Sequence, residues 1–156
     1  MSIIEIIMEQ HREFRSLMDQ VRDSAADDLE ERRGLFHLTR SRLNSHGRAE
    51  ERVLFPRMER DARTRPAALE AWEWHTASSN LMKGIEHLSP ADELWMPKWL
   101  VIRGIILTHL DAEEARALAP LREVFEQDEL ERMGRDFLAA EEWIRAGKKE
   151  DWTPDP

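Results

Sequence analysis

The sequence contains no cysteine among its 156 residues. Without thiols, the chain can form neither disulfide bonds, thiolate-ligated zinc sites nor cysteine-held iron–sulfur clusters. Histidine and the carboxylates of Asp and Glu are therefore the strong metal ligands that remain.

Long hydrophobic runs and an excess of positive charge are also missing. No apolar run approaches the roughly 18 residues that a membrane span requires, and residues 1–7 are too short and lack the basic flank of a signal peptide. We therefore expect a cytoplasmic protein. The chain has 23 Lys and Arg against 32 Asp and Glu, a net charge of −9. This acidity argues against nucleic acid and membranes as partners, because both are bound through clustered Lys and Arg.

The length, with 41% hydrophobic and 35% charged residues, is typical of one globular domain. Apolar residues recur with helical spacing in every long segment, and none shows a convincing strand alternation. The first helix opens with the capping-box pattern Ser2-x-x-Glu5, and Pro56 should end or kink the second. The predicted helices cover about residues 2–23, 28–56, 66–88, 90–120 with a kink at Pro97, and 128–146.

Short connections between the first four helices predict an all-α fold, an antiparallel up-and-down four-helix bundle with an additional C-terminal helix packed outside it. We assign residues 1–147 to one helical bundle domain. Its core covers 2–120, and its accessory helix covers about 128–146. Residues 148–156 are predicted to be a polar tail.

Two His-x-x-x-Glu pairs, His46 with Glu50 and His109 with Glu113, lie in two separate helical segments. Residues four apart share a helix face, with Cβ atoms about 5–6 Å apart. Each pair also lies on the apolar stripe of its helix, where an unpaired Glu would be costly to bury. This spacing and placement predict two pairs of metal ligands. Ferritin-like bundles use Glu-x-x-His instead, and no His in this sequence has a Glu three residues before it.

Each of the four bundle helices offers one core-facing His, and the distances from these residues to the adjoining turns match within about one helical turn. Four imidazoles and two carboxylates suit iron and are compatible with manganese or zinc, and two carboxylates on opposite helices can bridge two metal ions. The alternative for His46, Glu50, His109 and Glu113 is a buried salt-bridged network. The alternative for His11 and His75 is a hydrogen-bonded core imidazole. The predicted metal ligands are His11, His46, Glu50, His75, His109 and Glu113.

This pattern resembles the hemerythrin-like (HHE cation-binding) family over roughly residues 2–120. Supporting segments are His11-Arg-Glu-Phe14, the run from His46 to Pro56, and His109-Leu-Asp-Ala-Glu113-Glu114. The resemblance implies a non-haem di-iron centre inside a four-helix bundle, with Glu50 and Glu113 as bridging carboxylates. Oxygen-carrying members have a His-x-x-x-His pair on helix 3, whereas position 79 here is Ser. Their helix 4 pair is spaced by five, which would point to Glu114, and the four-spaced Glu113 resembles the wider bacterial members.

Three functions remain open at this point. The first is a protein that binds O2, NO or peroxide for stress response, sensing or iron handling, as a monomer or weak homodimer. The second is a di-iron oxidoreductase in which Ser79 leaves an open coordination position. The third is a non-redox metal protein or a structural bundle. Glu51 and Glu114 are either solvated neighbours, or one of them supports a ligand or is itself an exchangeable ligand. His37 and His87 are not expected to bind metal.

Overall fold

The computed structural model describes residues 1–147, so the predicted polar tail at 148–156 lies outside the described residues. Within this range the chain is helical and contains no strand. Two short helices, α3 (Phe55–Met58) and α6 (Leu121–Val124), join longer ones, and one π-helical turn spans Glu114–Leu118. The long helices are α1 (Ile3–Asp23), α2 (Leu29–Val53), α4 (Arg65–Glu86), α5 (Trp95–Glu113) and α7 (Gln127–Arg145). The predicted all-α fold is therefore confirmed.

Side-chain caps explain where the first two long helices begin. The predicted capping box is confirmed, because the Glu5 backbone N–H donates to Ser2 Oγ over 3.4 Å and the Ser2 N–H donates to Glu5 Oε2 over 2.8 Å. Asp28 caps α2 by accepting a hydrogen bond of 2.9 Å from the Glu31 N–H. Both caps satisfy backbone donors that the first helical turn leaves unpaired.

Two proline residues, Pro56 and Pro97, each lie in the first turn of a helix. The second helix ends at Val53, and Pro56 lies in the first turn of α3, as the sequence predicted. The predicted start near Pro90 and kink at Pro97 are wrong, because α5 begins at Trp95. Pro97 thus lies in the first turn of α5, where a missing backbone N–H costs no intrahelical bond.

The four bundle helices, which are α1, α2, α4 and α5, surround one layer of polar side chains. The first helix packs against α2 and α5, α4 packs against α5, and α7 packs outside the bundle against α2 and α1. Buried apolar residues form two clusters, one towards each end of the bundle. Along α1, for example, Ile7 belongs to one cluster and Phe14 to the other, with buried His11 between them. In the described chain, no helix combines the length and apolarity needed to cross a membrane.

The close approach of α7 to the start of α1 depends on Gly134. A Cβ atom at this position would lie 2.7 Å from the carbonyl oxygen of Met1 and 3.1 Å from the backbone nitrogen of Ile3. Because both of these contacts are to backbone atoms, a larger residue could be accommodated only by moving a helix. Glycine at this position therefore allows α7 to pack tightly against the start of α1.

Candidate metal centre

The structure brings all six predicted ligands to one level of the bundle. The His11 and His46 rings lie 5.2 Å apart between centroids, and the His75 and His109 rings lie 5.0 Å apart. The exposed fraction is at most 6% for five of the residues, and the His75 side chain is 12% exposed. The matched distances between these residues and the turns, read from the sequence, therefore correspond to real proximity.

Each carboxylate faces two imidazoles that come from different helices. Glu50 Oε1 lies 3.0 Å from His46 Nε2, and Glu50 Oε2 lies 3.3 Å from His75 Nε2. Glu113 Oε2 lies 3.6 Å from His11 Nε2 and 3.7 Å from His109 Nε2. The two carboxylates thus connect the His11 and His46 half of the site with the His75 and His109 half.

These separations fit donor atoms that share a metal ion. Metal–nitrogen and metal–oxygen bonds of about 2.1 Å at angles of roughly 90–120° place neighbouring donors about 3.0–3.6 Å apart. Four of the residues, His11, His46, Glu50 and Glu113, each offer one donor atom, and these atoms all lie within 4.8 Å of one another. The donor set and its spacing therefore suit a cation in this half of the site.

Several of the inward-facing polar atoms are buried and have no hydrogen-bond partner among the described residues. They are Nε2 of His11, Nε2 of His46 and both carboxylate oxygens of Glu50 and Glu113. A buried polar atom without a partner costs about 1–3 kcal/mol, and more when it is charged. A protein seldom accumulates six such atoms at one point, and a bound cation would satisfy them together.

Three of the four outward-facing ring nitrogens, in contrast, have partners. His11 Nδ1 lies 2.9 Å from Glu114 Oε1, and His75 Nδ1 lies 3.0 Å from Glu51 Oε1. A carboxylate on the far nitrogen orients an imidazole and leaves Nε2 for a metal. Glu51 and Glu114, whose role the sequence left open, thus contact the His side chains from outside the cluster.

The other two His side chains are supported differently. His46 Nδ1 lies 2.6 Å from the amide oxygen of Gln10, a residue that the sequence analysis missed. His109 Nδ1 is buried and unpartnered within the described residues, and its ring stacks on Trp74 at 5.9 Å between centroids. The contact with Gln10 joins two helices, and no local spacing pattern could have indicated it.

Burial separates the pKa values of the two carboxyl groups. Burial raises the pKa of Glu113, and the neighbouring Glu50 raises it further, well above its ordinary value. Burial alone would also raise the pKa of Glu50, but His46 and His75 outweigh it and hold this pKa well below the ordinary value. Without a metal, Glu50 therefore carries the negative charge and Glu113 favours its neutral form.

The pKa values of the imidazoles are also shifted in opposite directions. Burial lowers the pKa of His11 to about 4 and that of His109 to about 3, with neighbouring His side chains adding to the effect. Burial opposes protonation of His75 as well, but the neighbouring Glu50 carboxylate and a hydrogen bond with Glu51 raise its pKa to about 10. The metal-free cluster thus contains a buried ion pair between Glu50 and His75.

The structure corrects the interpretation of Ser79. This residue is exposed, whereas the sequence predicted that it faces the site. The neighbouring Ser78 points inward, and its Oγ is buried without a partner in the described chain. His37 and His87 are exposed and lie outside the cluster, as expected.

Comparison with known proteins yields the same architecture. A solved hemerythrin HHE cation binding domain-containing protein from Mycobacterium kansasii superimposes with a TM-score of 0.80, covering 94% of this chain and 89% of that chain at 22% identity. A curated protein from Nostoc sp. (strain PCC 7120), described as a DNA nickase, is 23% identical over 145 residues. That alignment covers 93% of this chain and 40% of the curated relative.

The family described as hemerythrin HHE cation binding domain matches residues 2–121. This range includes every residue of the buried His and Glu cluster, and together the family and the cluster indicate metal binding. The chain belongs to the hemerythrin HHE cation binding domain family.

Proposed function

We propose that the protein holds a non-haem di-iron centre and binds a small ligand such as O2, NO or peroxide. The observation that carries this proposal is the position of the Glu50 carboxylate. Its two oxygens face His46 at 3.0 Å and His75 at 3.3 Å, so one carboxylate reaches both halves of the cluster. A carboxylate placed between two sets of donors suits two metal ions about 3.5–4 Å apart.

The chemistry of the donors supports iron. Four imidazoles with two carboxylates form a set of nitrogen and oxygen donors that iron favours and that manganese and zinc also tolerate. In this arrangement His11, His46, Glu50 and Glu113 would hold one ion, and His75 and His109 would complete the second ion's ligands with the same two carboxylates. Iron in such a pocket would supply reversible electron exchange with a bound ligand.

A narrow cleft between α4 and α5 supports a small ligand. It reaches His109 and Glu113, and its accessible room is about 10 Å³, close to what one water molecule requires. Its wall contains Trp74 and several alanines, and its lining includes an ion pair between Glu70 and Arg116. An opening of this size favours diatomic molecules and peroxide over larger substrates.

The other functions have weaker support. The oxidoreductase hypothesis depended on a vacancy at Ser79, and this residue is exposed. The relative described as a DNA nickase is matched over only 40% of its length, and a net charge of −9 disfavours nucleic-acid binding. We therefore place ligand binding for stress response, sensing or iron handling first.

Metal analysis of protein expressed with added iron tests the proposal. We expect two iron ions per chain and visible absorption from the oxidised pair, which zinc would not produce. Glu50→Ala should remove most of the iron, whereas His37→Ala, at an exposed imidazole, should keep it. Unchanged iron in Glu50→Ala, or a wild-type protein without iron, would refute the proposal.

Mixing the iron-loaded protein with O2, NO or peroxide then identifies the ligand. A spectral change that saturates and reverses when the ligand is removed supports binding. Continuous consumption of peroxide or NO over many equivalents would instead favour the oxidoreductase hypothesis. A colourless protein that binds zinc more tightly than iron would favour the non-redox alternative.

A further inference from the structure

A hydrogen-bonded relay of three side chains connects the accessory helix α7 with the candidate metal centre. Its members are Glu141, Gln10 and His46. Glu141 on α7 is 2% exposed, and its carboxylate accepts hydrogen bonds from Gln10 Nε2 at 2.7 Å and Ser45 Oγ at 3.4 Å. The amide oxygen of the same Gln10 lies 2.6 Å from His46 Nδ1. The family match ends at residue 121, so Glu141 lies outside the part of the chain that the family accounts for.

The chemistry of these groups gives the relay a direction. The Gln10 amide turns its NH2 group towards Glu141, because Gln10 Nε2 donates to the Glu141 carboxylate. Its carbonyl oxygen then faces His46 and can only accept, so His46 Nδ1 must carry the hydrogen. In a neutral imidazole this leaves a lone pair on Nε2, the nitrogen that lies 3.0 Å from Glu50 Oε1.

We propose that Glu141, acting through Gln10, is a positioning residue that fixes the tautomer of His46 so that Nε2 is free to bind metal. The role of His46 as a ligand rests on the proposed function, whereas its tautomer is a property of the protein alone. His11 and His75 obtain the same support from a carboxylate directly. His46 obtains it through an amide, from a helix outside the four-helix bundle.

The charge of Glu50 explains why this support is needed. Without the hydrogen bonds from Glu141 and Gln10, the hydrogen of a neutral His46 would be better placed on Nε2, where it would face the negative Glu50 carboxylate, whose Oε1 lies 3.0 Å away. That tautomer has no lone pair directed at the site. Phe14 and Phe137 pack edge-on against the His46 ring at 4.9 and 5.5 Å between centroids. These contacts orient the ring plane but do not distinguish its two nitrogens.

The first experiment replaces Glu141 and observes His46 directly. Nitrogen NMR of metal-free, 15N-histidine-labelled protein at pH 8 reports which ring nitrogen carries hydrogen, with the His46 signals assigned by their loss in His46→Gln. We expect hydrogen on Nδ1 in the wild type and a shift towards Nε2 in Glu141→Met, which keeps the size of the side chain but removes the acceptor. Glu141→Gln, which retains an acceptor oxygen, should restore most of the wild-type pattern. Glu142→Met, at the exposed neighbouring residue, is the matched control.

The second experiment measures metal affinity by competition with a chromophoric chelator, using zinc as the probe. Removing a group that orients a ligand typically lowers metal affinity about 10–100-fold, so we expect at least about a tenfold loss in Glu141→Met and none in Glu142→Met. If Glu141 acts through Gln10, the double variant Gln10→Met/Glu141→Met should bind no more weakly than Gln10→Met alone.

The proposal is overturned if hydrogen resides on Nε2 of wild-type His46, or if Glu141→Met leaves both tautomer and affinity unchanged. Additive losses in the double variant would also overturn it, because Glu141 would then act independently of Gln10. A wild-type protein that binds no metal would refute the proposed function, and the tautomer measurement would still decide the role of Glu141. Circular dichroism of each variant separates these results from a general loss of folding.

Discussion

Metal loading should release at least one proton from the cluster, which is the proton that His75 carries. The Glu50 carboxylate and a hydrogen bond with Glu51 overcome burial and raise the pKa of His75 to about 10, so its imidazole is protonated at pH 7. A protonated imidazole has no lone pair and must lose its proton before it can bind a metal. Glu113, whose pKa lies well above the ordinary value, should contribute a second proton when it becomes a ligand.

The magnitude follows from linkage between protons and metal. Each proton released on binding raises the apparent metal affinity about tenfold per pH unit while the free protein remains protonated. We therefore expect at least a tenfold gain between pH 7 and pH 8, approaching about a hundredfold if both His75 and Glu113 lose a proton. The sign is fixed by the direction of the shifts, since both groups are held protonated above their ordinary pKa values.

Calorimetric titration with zinc in buffers of equal pH but different ionisation enthalpy measures the number of protons directly. The slope of the observed binding enthalpy against buffer ionisation enthalpy should indicate one to two protons released per chain. His37→Ala, which removes an exposed imidazole, should give the wild-type slope. A slope of zero, or an affinity that does not change between pH 7 and pH 8, would refute the assigned protonation of His75.

Other predictions concern the surroundings of the cluster. The metal-free protein should lose at least about 1.4 kcal/mol of unfolding free energy per pH unit between pH 7 and pH 9, and more while Glu113 also keeps its proton. The reason is that the raised pKa of His75 favours the folded state up to about pH 10; denaturant unfolding at pH 7, 8 and 9 checks this, and a flat profile would contradict it. Gly47→Ala should weaken zinc binding in a chelator competition, because its Cβ would lie 3.3 Å from His75 Cε1. Glu51→Ala, which removes the partner of His75 Nδ1 at 3.0 Å, should lower zinc affinity about 10–100-fold in the same assay. Ser79→His should leave the absorption spectrum of the iron-loaded protein unchanged because Ser79 is exposed, and a new band would show that this position reaches the metal.

The helices and the inward-facing ligands could be predicted because they depend on local periodicity. An i, i+4 pair on an apolar stripe faces the core wherever the helix packs, so His46 with Glu50 and His109 with Glu113 needed no tertiary information. The start of the first helix was also readable, since Ser2 and Glu5 lie close in sequence and cap each other.

Positions that depend on the rotation of a helix were harder to predict. Ser78 and Ser79 follow His75 by three and four residues, and both spacings return to the same side of a helix. Only the packing of α4 decides that the Oγ of Ser78 is buried and that Ser79 is exposed. The start of α5 failed for a related reason, because proline is equally compatible with a helix kink and with a first helical turn.

The outer partners of the imidazoles had no usable signal in the sequence. Gln10 precedes a predicted ligand, but neighbouring residues in a helix point in different directions, so its contact with His46 depends on how α1 and α2 pack. Glu141 follows Ser45 by 96 residues. Its role could be seen only after α7 was placed against the bundle, where Gly134 permits the close approach.

The two His-x-x-x-Glu pairs have the same spacing, but hydrogen bonds hold their side chains to different degrees. Glu50 lies 3.0 Å from His46, whose Nδ1 is bonded to Gln10. Glu113 lies 3.7 Å from His109, whose Nδ1 has no partner in the described part of the chain. The cleft between α4 and α5 opens onto His109 and Glu113, the less constrained pair. A ligand that enters by the cleft would thus meet the pair His109 and Glu113, whose side chains can move with fewer hydrogen bonds broken, while the hydrogen bonds from Glu141 through Gln10 hold His46 in place.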